Sequence, residues 1–95
     1  MKAIVSDTSP LNYLILIEAI EVLPKLFDEV LIPPAVYSEL QNPRTPAAVY
    51  RLAAALPSWA KVRSPAHIDP AIALGAGETE AIALAIELRI PAILD

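Results

Sequence analysis

The sequence predicts an α/β domain built on a mainly parallel sheet that is covered on both faces. Three observations predict it. Apolar strand-like segments alternate with helical ones along the chain. Those segments are near-continuous apolar runs, the pattern of strands buried on both sides. Hydrophobic residues make up 56% of the 95 positions and charged residues 19%, against averages of about 45–50% and about 25%, so the chain carries the apolar material such a sheet needs.

Lys2–Val5, with β-branched Ile4 and Val5, reads as the first strand. Asp7 and Thr8 follow it. Ser9-Pro10 then reads as a helix start, with Ser9 as N-cap and Pro10 at the first helical position. Leu11, Leu14, Ile15 and Ile17 give that helix an apolar face. A second short helical stretch near Glu21–Phe27 is interrupted by Pro24. Glu29–Ile32 is the second strand, closed by Pro33-Pro34. Pro34 opens a helix over Ala35–Gln41, which Asn42-Pro43 ends. Ala47–Leu56 is an Ala/Leu-rich helix stopped by Pro57, and Ala60–Arg63 is a weak third strand. Ser64–Gly77 is a loop with room for one helical turn at Pro70–Leu74. Glu78–Arg89 is the clearest helix, and Ala92–Leu94 is a fourth strand before Asp95. The order is β-α-α-β-α-α-β-α-β. No repeat, low-complexity tract or linker divides the chain, so residues 1–95 are expected to form a single domain.

Composition excludes several classes. The apolar content is too high for a disordered chain. There is no cysteine, which removes disulfide scaffolds and thiolate zinc sites. The longest charge-free stretch, Thr8–Ile17, is interrupted by Pro10 and Asn12 and falls short of the roughly 18 residues a membrane span needs. Asp7 breaks the run Ala3–Val5 too early for a secretory signal, so the expected compartment is the cytoplasm, with no membrane partner. The net charge of −4 argues against a general nucleic-acid binder with a basic face. It leaves room for an enzyme that meets phosphates through metal ions held by its acids.

Asp7 and Asp95 stand directly after apolar strand runs. Ligands of open α/β sheets bind beyond the carboxyl ends of the strands, so both are placed where chemistry occurs. An Asp there also commonly caps the next helix, a task Ser9 is expected to perform. Glu39 lies in the helix after the second strand, where an exposed helical Glu is the plain explanation. Glu78 and Glu80 open the last long helix, where acids favour the positive end of the helix dipole. At 100° per residue Glu78 shares a face with Ile82, Ala85 and Ile86, whereas Glu80 falls about 160° from Ile82 on the side of Glu87. That wheel directs Glu78 toward the sheet and Glu80 toward water. Asp7, Glu39, Glu78 and Asp95 are thus expected to converge above the sheet. Clustered carboxylates repel unless a cation neutralises them. Hard oxygen ligands suit Mg²⁺ or Mn²⁺, and such ions activate water for displacement at phosphorus.

The residues in sequence carry a family resemblance. Ile4-Val5-Ser6-Asp7-Thr8-Ser9-Pro10-Leu11 resembles the opening strand and first acid of PIN domains, the nuclease domains of many prokaryotic toxins. Ile32-Pro33-Pro34-Ala35-Val36-Tyr37-Ser38-Glu39-Leu40 resembles their second-acid helix. The run from Leu74 through Gly77-Glu78-Thr79-Glu80 to Ala85, followed by Ala92-Ile93-Leu94-Asp95, resembles their last acidic helix and strand, in a form similar to a subgroup related to VapC toxins. The resemblance spans essentially the whole chain. It implies a Mg²⁺- or Mn²⁺-dependent endoribonuclease with a three-layer fold, strand order 3-2-1-4-5, a tendency to form homodimers and, in toxin members, a cognate antitoxin. Carried over by position, the acids are Asp7, Glu39 and Asp95, with Glu78 and Glu80 both open as the third; the wheel favours Glu78. The hydroxyl of Thr8 or Ser9 is placed to hold a metal-bound water. Family members continue past the last acid, so the sheet is expected in the order 3-2-1-4 without its fifth strand and last helix. Strand four is then an open edge that invites pairing. The second function class that follows is a truncated, inactive domain that acts as a binding partner or is a remnant.

Other candidates weigh less. His67 reads as an exposed loop residue and Trp59 as part of the core or its cover. Arg44, Arg51, Lys61 and Arg63 are spaced to follow a phosphate backbone or simply to form a solvated face. A haloacid-type phosphatase needs a second Asp where Ser9 stands. A receiver needs an acidic pair before its acceptor strand and a lysine near the sheet's end, and neither is present.

Overall fold

A computed structural model of the chain describes residues 2–68 and 75–93. The elements are β1 (Ala3–Ser6), α1 (Thr8–Leu16), α2 (Val22–Leu26), β2 (Glu29–Ile32), α3 (Pro34–Leu40), α4 (Ala47–Ala54), β3 (Ala60–Val62), α5 (Ala76–Leu88) and β4 (Ala92–Ile93). Their order is the one the alternation of apolar runs and helical segments predicts. The helical turn expected at Pro70–Leu74 lies outside the described residues.

The four strands form one all-parallel sheet in the order β3-β2-β1-β4. β1 aligns Ile4 with Val30 and Val5 with Leu31, and β4 joins its other side through Val5–Ala92 and Ser6–Ile93. Because every strand runs the same way, all carboxyl ends emerge at one edge. Side chains alternate across a strand, so β1, β2 and β4 each feed two cores, while β3 contributes Ala60 to one. Ile4, Val30 and Ile32 pack with Leu11 and Ile15 of α1, Leu23 of α2, Val36 and Leu40 of α3, and Val49 and Ala53 of α4. Val5 and Leu31 face the other way and meet Ala81 and Leu84 of α5. The molecule is therefore a three-layer domain with α5 covering one face of the sheet. α3 also packs directly against α5, bringing the two helical layers together beside the strand ends. Trp59 packs against the larger core, as expected, and His67 is exposed.

One local expectation is corrected. The N-cap of α1 is Asp7, not Ser9. Asp7 is extended (φ −82, ψ 177) and its side chain accepts from the Thr8 N–H, so the helix begins at Thr8 and Pro10 falls inside the first turn, where its missing N–H has no helical partner to lose.

Candidate active site

Asp7 leaves the carboxyl end of β1 and is only 5% exposed. Its backbone N–H donates to the Ile93 carbonyl of β4 at 2.9 Å, which fixes it between β1 and the edge strand β4. Its Oδ1 accepts from the Thr8 N–H at 2.8 Å. Glu39 comes from α3, the helix launched by β2, and is exposed. The Thr8 hydroxyl donates to Glu39 Oε2 at 2.7 Å. Thr8 thus touches both acids, one through its backbone and one through its side chain.

The two carboxylates meet at the start of α5. A Cβ built on the buried Gly77 would lie 3.1 Å from Asp7 Oδ1, 3.1 Å from Glu39 Oε1 and 3.3 Å from Val36 Cγ2. Both oxygens are therefore within 3.1 Å of one point, and their separation is at most twice that. Like charges so placed repel, and the positive end of a 13-residue helix beside them relieves only part of that repulsion. A divalent cation would relieve the rest. Mg²⁺ is ordinarily held by one or two carboxylates while keeping several waters. Two oxygen-only carboxylates beside a hydroxyl, open to solvent on the Glu39 side, fit such an ion.

Glu78 stands half-buried in the first turn of α5. Among the described residues, no group of three or more acids or histidines is gathered tightly enough to hold a metal ion. Asp95 lies outside the described residues. Glu80 is not directed to water, as the wheel expected. It is half-buried, and its Oε1 accepts from the Ala35 N–H at 2.9 Å, at the start of α3. The error has a physical origin. The wheel took Ile86 to mark the buried side, but Ile86 is 69% exposed, and the buried residues of α5 are Gly77, Ala81, Ala83 and Leu84. Glu80 lies next to Gly77 and Leu84 at helical spacing and so faces α3.

Sequence reasoning missed the role of Gly77. The available signal was a glycine one residue before an acid in a helical first turn, where glycine is otherwise unfavourable. It also missed an open cleft of about 470 Å³ lined by Gln41, Pro43, Thr45, Ala47, Tyr50 and Arg51. Its loop is tied to the turn of Glu39, whose carbonyl accepts from the Thr45 hydroxyl at 3.0 Å. Arg44, Arg51 and Arg63 are exposed, and Lys61 pairs with Glu29 at 3.1 Å.

A parallel sheet in this order, with acids from β1 and α3 brought together at its carboxyl edge, defines an α/β domain with an acidic site at its strand ends. The family follows from comparison: a model described as a PIN domain matches residues 3–95, and the chain belongs to that family. It is a nuclease family whose members generally use divalent metals. No curated protein and no solved structure matches the chain. Among the described residues no helix is long and apolar enough to cross a membrane.

Proposed function

We propose that this protein is a Mg²⁺- or Mn²⁺-dependent endoribonuclease that hydrolyses RNA phosphodiester bonds in the cytoplasm, and that it is the toxin of a toxin–antitoxin pair. The observation that carries the nuclease reading is the meeting of the Asp7 and Glu39 carboxylates at Gly77. The metal, when bound, supplies the positive charge that draws phosphate to an acidic protein and a more acidic water for attack at phosphorus. Asp7 and Glu39 are its holders; Glu78 and Asp95 complete the set of acids. Thr8 fixes the Glu39 carboxylate through its hydroxyl, so that the ligand is oriented before the ion arrives. The toxin role, with its antitoxin and homodimer partners, rests on the resemblance to VapC-related members. Exposed Tyr13, Leu16 and Ile17 on and beside α1, with Leu26 of α2, supply apolar surface for a protein partner.

The test is cleavage of end-labelled RNA with Mn²⁺ by the wild type and by Asp7→Asn. Cleavage by the wild type alone is expected, and EDTA should abolish it. Equal cleavage by both proteins would remove Asp7 from the site. No cleavage by either would favour the second reading, a non-catalytic binding module.

A further inference from the structure

We propose that α5 sets the spacing of the Asp7–Glu39 pair through two residues that do not themselves touch metal or substrate, Gly77 as a spacer and Glu80 as a tether. Both are positioning residues, and their role for a metal site rests on the nuclease reading above.

The spacer follows from distances. Asp7 comes from the end of β1 and Glu39 from α3, and an oxygen of each carboxylate closes on the start of α5 at Gly77. A methyl group at position 77 would meet an oxygen of each at 3.1 Å and Val36 at 3.3 Å. Asp7 yields little, because it is buried, capped onto Thr8 and bonded through its N–H to β4. Glu39 is exposed at its tip but is held by Thr8. A methyl group at 77 therefore needs a few tenths of an ångström of give from the pair, or from α5 against α3. Backbone freedom does not explain this glycine, since no glycine among the described residues has a positive φ.

The tether follows from one hydrogen bond. α3 begins with Pro33 as N-cap and has no side-chain cap of its own. The Ala35 N–H is among the donors that an α-helix leaves unsatisfied at its start. Glu80 accepts it at 2.9 Å from across the α3–α5 contact. A carboxylate at a helix N-terminus is also favoured by the dipole. Glu80 thus locks the helix that carries Glu39 against the helix that carries Gly77. This assigns Glu80 away from the metal, whereas family position alone leaves it open as the third acid.

Four variants of the full chain test the inference: Gly77→Ala, Glu80→Gln, Glu80→Ala and, as a reference, Asp7→Asn. Mn²⁺ affinity is read by calorimetry and thermal midpoint by circular dichroism. Gly77→Ala is expected to weaken Mn²⁺ binding by about tenfold, with the thermal midpoint showing that the variant is folded at the temperature of the titration. Glu80→Gln keeps an oxygen acceptor for Ala35 and loses only the charge, so it should bind Mn²⁺ within about twofold of the wild type, while Glu80→Ala should bind it more weakly. The inference is overturned if Gly77→Ala binds Mn²⁺ as the wild type does, or if Glu80→Gln falls as far as Asp7→Asn. A wild type that binds no Mn²⁺ sinks the metal reading instead. Crystal structures of Gly77→Ala and Glu80→Ala then judge positioning alone: a widened Asp7–Glu39 gap supports it and an unchanged gap refutes it.

Discussion

At the scale of the residue, Asp7 does two jobs that are usually separate. It caps α1, with its Oδ1 accepting from Thr8, and it brings a nearly buried carboxylate to the point where Glu39 arrives. The two jobs depend on different properties. Capping needs an acceptor oxygen, which asparagine supplies as well as aspartate; metal binding needs charge. Asp7→Asn is therefore expected to unfold near the wild-type urea midpoint, whereas Asp7→Ala should lose about 0.5–2 kcal/mol. Both should lose Mn²⁺ binding. Equal destabilisation by the two variants would show that the cap contributes nothing. The first acid was legible in the sequence because a strand end is a strong positional signal. Its capping role was obscured by Ser9-Pro10, an equally good helix start two residues later, and only the backbone geometry at Asp7 decides between them.

At the scale of the element, α1 and α5 end in the same way. After α1 the Glu18 N–H donates to Ile15 and the Ala19 N–H to Leu14, with Glu18 at φ 59. After α5 the Arg89 N–H donates to Ile86 and the Ile90 N–H to Ala85, with Arg89 at φ 56. Both are Schellman closures, in which the left-handed position ordinarily belongs to glycine. A side chain with Cβ in that conformation costs about 1–2 kcal/mol, partly offset by the greater freedom glycine has when unfolded. Glu18→Gly and Arg89→Gly should each raise stability by about 0.5–1 kcal/mol in urea unfolding, and a loss in either would contradict the closure. Strands and helices were readable to within a few residues because proline and apolar runs mark them. The facing of α5 was not. Its apolar residues surround the helix almost completely, so hydrophobicity alone cannot say which side is inside, and Ile86 misdirected the reading. Gly77 and Glu80 take their meaning from how closely α5 approaches α3, a distance fixed by tertiary packing.

At the scale of the whole molecule, the two faces of the sheet are unequally covered. Among the described residues, α1 to α4 bury eleven core positions together with the sheet on one face, strand residues included. α5 covers the other with Ala81 and Leu84 against Val5 and Leu31. The smaller face is the one that sets the site, since α5 carries Gly77 to the carboxylates and Glu80 to α3. Stability and site geometry are therefore coupled through α5 as well as through β1 and α3, which carry the acids, whereas α2 lies apart from them. Leu84 is fully buried and Leu23, on α2, nearly so. Truncating either to alanine should remove about 2–5 kcal/mol, a large share of the roughly 5–15 kcal/mol a domain possesses. Their effects on the site should differ. At a temperature where both variants remain folded, Leu84→Ala lets α5 settle differently on the sheet and should weaken Mn²⁺ binding several-fold. Leu23→Ala, for the same loss of stability, should leave it unchanged. Parallel losses of affinity in both would mean that the site follows global stability, and α5 would then have no special hold on the Asp7–Glu39 pair.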